Sequence, residues 1–226
     1  MQIIEIYRSI QGESSFAGVP CIFVRLAACN LRCVWCDSEY TFTGGRKMST
    51  DEVEGEVTRL ASGGLVEITG GEPLLQEREL VPMMERLLAR GYTLLLETSG
   101  ERPLENVPKA VHKIVDVKCP GSGEGGSFHM SNLSALTSRD EVKFVLTDRA
   151  DYEFARDFTR EHGLESKTGA VLFSPAFLKA PSRDRDASNC QLDPRQLSEW
   201  ILEDGLNVRL GLQIHKFIWE PATKGV

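Results

Sequence analysis

The chain has 226 residues, 41 % of them hydrophobic, and 33 acidic against 26 basic residues leave a formal charge of −7. That length suits a single α/β domain over residues 1–226 with a sizeable core, while the acidic balance lacks the electrostatic footprint of a nucleic-acid binder. The start from Met1 to Glu5 has no basic region or long apolar core of a signal peptide, and no apolar run approaches the roughly 18 residues of a membrane span. The expectation is therefore a cytoplasmic protein with reduced thiols that acts on a small molecule, with no nucleic-acid or membrane partner.

Eight short runs rich in Val, Ile, Leu and Phe read as strands: residues 2–7, 21–26, 65–69, 92–97, 113–117, 141–146, 170–174 and 207–213. Most are nearly continuous, as in parallel strands covered on both faces. Helical patterns lie between them. Ser49, followed three positions later by Glu52, is a capping-box signature for a helix running to about residue 60. Leu80, Met83, Met84, Leu87 and Leu88 share one helical face, and Gly91 ends that helix. Pro82 is expected to restrict where it begins, because an interior proline removes a backbone hydrogen bond. Residues 148–162 and 193–203 complete the helical set. The 98–114 stretch is short and carries two prolines, and 118–127 is rich in glycine, so not every crossover holds a helix. The alternation predicts an α/β fold: a reduced, partly open (β/α)6-type TIM-like barrel with few helices, whose site lies at the strand C-terminal ends.

Cys29, Cys33 and Cys36 follow directly on the 21–26 strand. Three thiolates in that spacing can each hold a different iron of a [4Fe–4S] cubane and leave the fourth iron open. A structural zinc site would need a fourth ligand, and no second CxxC or HxxxH is present. Cys119 and Cys190 are isolated, and Cys21 sits inside an apolar strand as a core residue. The triplet resembles the signature of the radical S-adenosylmethionine superfamily. That likeness implies an open iron chelated by the methionine moiety of S-adenosylmethionine, and reductive cleavage of the sulfonium to a 5′-deoxyadenosyl radical.

Four further segments end strands. Thr69-Gly70-Gly71-Glu72-Pro73 joins two glycines, which let the backbone approach a ligand, to a carboxylate; it resembles the superfamily turn that receives the methionine amino group. Thr98 and Ser99, then Asp116, Val117 and Lys118, offer groups for ribose hydroxyls and the methionine carboxylate, and Ser174 is placed to border the adenine. An N-terminal segment, Ser9-Ile10-Gln11-Gly12-Glu13, is expected beside the barrel mouth, and Gln213-Ile214-His215-Lys216 is expected to end the last strand on the same rim. Arg25 interrupts an apolar strand, and a charge there needs a partner, for which Glu5 and Glu13 are the candidates.

Together SIQGE, CxxxCxxCD, TGGEP, ETSG, DVKCPGSG, EVKFVL and QIHK resemble the 7-carboxy-7-deazaguanine synthase family in order and spacing, over nearly the whole chain. The resemblance implies conversion of 6-carboxy-5,6,7,8-tetrahydropterin to 7-carboxy-7-deazaguanine with loss of ammonia, as a step of queuosine and 7-deazapurine biosynthesis. It places Ile10, Gln11, Gly12, Glu13, Arg25, Thr69, His215 and the Pro221 backbone around the pterin. Trp35, Cys36, Asp37, Gly70, Gly71, Glu72, Asp116, Val117 and Lys118 fall around S-adenosylmethionine. It also implies Mg²⁺ beside the substrate carboxylate, held by a hydroxyl that is usually threonine and here is Ser38. A flavodoxin or equivalent electron donor and a homodimer follow from the likeness alone. Two rivals share part of the pattern: an activase that installs a glycyl radical on a partner protein, and a non-catalytic module braced by zinc or an iron–sulfur cluster.

Overall fold

The computed structural model describes residues 1–221 and 223–225. Its strands are β1 (Gln2–Ile10), β2 (Pro20–Leu26), β3 (Arg46–Lys47), β4 (Leu65–Gly70), β5 (Thr93–Thr98), β6 (His112–Asp116), β7 (Glu141–Leu146), β8 (Ala170–Pro175) and β9 (Arg209–Leu210). They form one sheet in the order β3-β1-β2-β4-β5-β6-β7-β8-β9. β1 is antiparallel to β2 and β3, whereas β2 and β4 to β9 all run parallel. The edge strands do not meet, so the barrel is open.

The side-chain period of two sorts each parallel strand into two faces. Val24, Val66, Ile68, Leu94, Leu96, Val115, Phe144 and Phe173 join the core beneath the helices. On the other face Cys21, Phe23, Leu65, Leu95 and Ile114 form a small apolar layer inside the barrel near the strand starts. One step further along the same face stand Arg25, Thr69, Glu97, Asp116 and Lys143, which line a cavity. The inner layer therefore changes from apolar to charged toward the C-terminal rim.

The capping box forms as the sequence implies: the Ser49 side chain accepts from the Glu52 amide and the Glu52 carboxylate accepts from the Ser49 amide, opening α1 (Thr50–Leu60). Asp148 and Asp193 cap α4 (Arg149–Glu161) and α6 (Pro194–Glu203). Single turns make up α3 (Asn132–Ala135), α5 (Leu164–Lys167) and α7 (His215–Ile218). No helix joins β5 to β6. Among the described residues no helix is long and apolar enough to cross a membrane.

Three local expectations are corrected. Pro82 does not restrict the start of its helix; it lies inside α2 (Glu77–Ala89). Pro82 and Arg78 are both exposed, so water can satisfy the carbonyl that the proline leaves unpaired. The 207–213 strand shrinks to Arg209–Leu210, because the Gly211 amide still bonds the Phe173 carbonyl at 2.8 Å but the Ile214 amide turns to Gly12 O at 2.9 Å. Gln213 and His215 are thus in a turn and a short helix, not at a strand end.

The third correction concerns Gln11, Gly12 and Glu13. Ile10 pairs with Pro20, the first residue of β2, so the 11–19 connection starts at the N-terminal ends of the parallel strands and not at the mouth. It then crosses the barrel interior as a floor. The Gln11 side chain donates to Glu67 on β4, Glu13 accepts from Lys143 on β7, and the Ser15 amide donates to Glu141 at the start of β7. Arg209 on β9 donates to the Ser15 hydroxyl at 3.1 Å, which ties the floor to the far edge.

Candidate active site

The cysteine loop is held against the β4 turn by backbone contact. Ala28 has φ 75°, the single non-glycine residue with positive φ among the described residues, a conformation that costs of order 1 kcal/mol or more. It persists because the Ala28 amide donates to Thr41 O at 2.7 Å and the Glu72 amide donates to Ala28 O at 2.8 Å. Gly71 is required at this approach: a Cβ there would lie 2.1 Å from Ala28 O and 2.7 Å from the Cys29 Cβ. Gly70, at φ 147°, would place its Cβ 2.3 Å from Leu26 O. On the other side the Val34 amide donates to Ser122 O at 3.0 Å and the Arg32 amide to Glu124 Oε1 at 2.5 Å. The glycine-rich loop after β6 therefore buttresses the cysteines.

Cys29, Cys33 and Cys36 are free, half-buried thiols on the cavity wall. Burial raises all three, Cys33 to about 11, although the nearby Lys118 ammonium works in the opposite direction. Coordination to a cation is what would hold them as thiolates at neutral pH. Three thiolates can each hold a different iron of a cubane, so this donor set fits an iron–sulfur cluster, whereas a structural zinc ion needs a fourth ligand.

Trp35, Asp37, Ser38, Gly70, Gly71, Thr98, Ser99, Asp116 and Lys118 line the same cavity of about 280 Å³. Glu72, Val117 and Ser174 do not. Glu72 is wholly buried and its four acceptor positions are committed: Oε1 accepts from Leu74 N at 3.0 Å and Thr98 Oγ1 at 2.8 Å, and Oε2 from Ser99 N at 2.8 Å and Ser99 Oγ at 2.7 Å. Its side chain is a strut between the β4 and β5 turns. Val117 is buried, with its amide on Lys143 O, and Ser174 packs where a Gly211 Cβ would come within 2.4 Å of its Oγ.

Ile10, Gln11, Gly12, Glu13, Arg25, Thr69, His215 and Pro221 all line the cavity. Arg25 pairs with Glu5 at 2.8 Å, not with Glu13, and its Nη2 donates to the Tyr7 hydroxyl at 3.0 Å. Tyr40 OH donates to the same Glu5 oxygen at 2.8 Å. His215 packs so tightly on Gly12 that a Cβ there would lie 2.3 Å from Nδ1. Burial lowers the His215 pKa even against the Glu13 carboxylate, which favours the neutral imidazole. Lys216 donates to Asp37 Oδ2 at 2.7 Å, and the Ser38 hydroxyl donates to Asp37 Oδ1 at 2.9 Å.

Sequence reasoning missed the charged layer that organises this floor. Lys143, 3 % exposed at its side chain, donates to Glu13 Oε2 at 2.9 Å and to Glu97, with Asp116 Oδ2 at 3.6 Å. Gln213 donates to the other Glu13 oxygen at 2.8 Å. Burial opposes ionisation of Glu13, but the Lys143 and His215 charges and the Lys143 hydrogen bond lower its pKa from 4.5 to about 2. The signal was present in the strands: Lys143 and Glu67 interrupt apolar runs in the same way as Arg25.

Residues 24–121 match the model of the radical SAM superfamily. The chain is 73 % identical over its full length, and that of the relative, to a 7-carboxy-7-deazaguanine synthase of Koribacter versatilis. It is 41 % identical to one of Chlorobaculum tepidum, covering all of this chain and 97 % of the relative. The fold matches the crystal structure of QueE from Escherichia coli with a TM-score of 0.71, at 24 % identity over 94 % of this chain and 93 % of that one. The cysteine loop, the double-glycine turn and the open parallel sheet thus have one common explanation: the chain belongs to the 7-carboxy-7-deazaguanine synthase family of radical S-adenosylmethionine enzymes, which use a [4Fe–4S] cluster and S-adenosylmethionine.

Proposed function

We propose that this chain converts 6-carboxy-5,6,7,8-tetrahydropterin to 7-carboxy-7-deazaguanine and ammonia. The observation that carries the reading is one cavity with two unlike walls: the cysteine loop at the C-terminal rim, and a floor of amides, carboxylates and a lysine facing it. When bound, the cluster and S-adenosylmethionine supply a carbon-centred radical able to take a hydrogen atom from the substrate. Cys29, Cys33 and Cys36 would hold the cluster. Asp116 and Lys118, an ion pair at 2.9 Å, sit where a zwitterionic amino acid moiety finds a charge of each sign.

The floor suits a flat heterocycle with alternating donors and acceptors. Gln11, Glu13 and Gln213 present amide and carboxylate groups, Arg25 offers guanidinium donors for the substrate carboxylate, and His215 offers a neutral ring. Their mutual hydrogen bonds restrict these groups before substrate arrives, which lowers the ordering cost of binding. A protein substrate for radical installation has no use for such a floor.

Ser38 is the residue for Mg²⁺, and a serine oxygen suffices because that ion keeps several water and substrate oxygens. A flavodoxin-type electron donor, a homodimer and a cytoplasmic setting belong to the same reading. The test is anaerobic incubation of the reconstituted protein with the carboxytetrahydropterin, S-adenosylmethionine and dithionite, followed by mass analysis. Cleavage of S-adenosylmethionine without any deazaguanine product would remove the substrate assignment.

A further inference from the structure

Glu67 has no part in the reaction as described, yet it stands on the cavity wall. It is the third residue of β4, 2 % exposed, on the same face as Thr69. Gln11 Nε2 donates to Glu67 Oε2 at 3.0 Å, and on the neighbouring β5 the residue paired with Glu67 is Leu95, which puts the Glu97 carboxylate two residues further along the same face. A buried carboxyl beside another carboxylate favours the form that carries a proton.

Gln11 makes this contact consequential. Its amide oxygen accepts from the Glu13 amide at 2.9 Å and the Ser14 amide at 3.0 Å. A flipped amide would point its NH₂ group at two backbone N–H donors. The Glu67 oxygen, by accepting the NH₂ group, selects the orientation that supports the turn carrying Glu13. That turn in turn places the Glu13 carboxylate between Lys143 and Gln213.

The charge balance decides which carboxyl is neutral. Lys143 already serves Glu13, Glu97 and Asp116, and Lys118 pairs with Asp116, so two ammonium groups face three carboxylates before Glu67 is counted. Among the described residues no Lys, Arg or His lies within ion-pair distance of Glu67. The other titratable groups facing it are Tyr7 from β1 and Cys21 from β2, which supply no positive charge. Burial, then the Glu97 and Glu13 charges, raise the Glu67 pKa well above the ordinary carboxylate value.

We propose that Glu67 is a positioning residue of this site: as a protonated acid beside Glu97 it accepts from Gln11, holding the floor turn in place and keeping a fourth anion away from the substrate. The proposal rests on the pterin reading for its effect on binding, because a substrate carboxylate is what an added anion would repel.

The test compares the wild-type holoenzyme with Glu67→Gln and Glu67→Leu. Glutamine retains one acceptor and one donor; leucine retains volume alone. Glu67→Leu raises KM about 5–10-fold through loss of the Gln11 anchor, with a smaller change in kcat, and Glu67→Gln recovers most of that loss. In the wild type KM climbs as pH rises through the ionisation of Glu67, and Glu67→Gln lacks that climb. An infrared difference measurement reads the proton without any turnover: the carbonyl stretch of a protonated carboxyl is present at neutral pH in the wild type and absent in Glu67→Gln.

A protonated-carboxyl band that persists in Glu67→Gln overturns the proposal, as does an identical rise of KM with pH in the two proteins. A Glu67→Leu variant that melts at a lower temperature with an unchanged KM also overturns it, leaving Glu67 a core residue. Should none of the three proteins turn over the pterin, the infrared comparison still decides Glu67, and the substrate assignment alone fails.

Discussion

Replacing Lys143 with methionine tests the charged layer most directly, because methionine keeps the stem and removes only the ammonium. The side chain is 3 % exposed, and it faces Glu13, Glu97 and Asp116. Removing one partner of a buried ion pair leaves uncompensated charge and costs about 3–5 kcal/mol. Glu13 points the same way: against the effect of burial, Lys143, together with His215, lowers its pKa from 4.5 to about 2, which corresponds to about 3 kcal/mol of stability at neutral pH. Because the folded-state value is depressed, this stability is present above about pH 4.5 and is lost as pH falls through about 2. In Lys143→Met the carboxylates protonate more readily, so the variant recovers part of its deficit on acidification. Urea unfolding of both proteins at about pH 7 and about pH 5 measures this. We expect a deficit of about 3–5 kcal/mol at the higher pH and a clearly smaller one at the lower. A deficit below about 1 kcal/mol, or one equal at both values, would refute the reasoning that the layer depends on the Lys143 ammonium.

Gly71→Ala must push the Ala28–Cys29 backbone aside, since its Cβ would lie 2.1 Å from Ala28 O; the expected outcome is a loss of about 1–3 kcal/mol and a lower iron content after reconstitution. Iron content equal to that of the wild type would show that the loop yields. Gly12→Ala drives a methyl group to 2.3 Å from His215 Nδ1, and displacing that ring raises KM roughly tenfold; steady-state kinetics at unchanged melting temperature check it. Glu72→Gln turns an NH₂ group toward donors at one of its two oxygens and lowers stability by about 2–3 kcal/mol, read by thermal unfolding, with a neutral result arguing against the strut.

Short-range signals carried much of the protein. The spacing of Cys29, Cys33 and Cys36, the Ser49–Glu52 capping box and the paired glycines at 70 and 71 each act within a few residues, so the chain itself specifies them. Nearly continuous apolar runs likewise located the parallel strands and the odd charge at Arg25. Applied evenly, the same argument would have marked Lys143 and Glu67.

Tertiary structure decided what those groups do. Glu13 meets Lys143 across 130 positions of sequence and Gln213 across 200, because β1 runs antiparallel to its neighbour and delivers the 11–19 segment to the strand starts. Whether Glu72 faces a ligand or braces two turns depends on where Thr98 and Ser99 lie, on a different strand. The sequence determined which chemistry the chain carries, through local geometry of the backbone. Strand direction and strand order in the open barrel alone determined which charges share one cavity, because only they set distances between residues far apart in the chain.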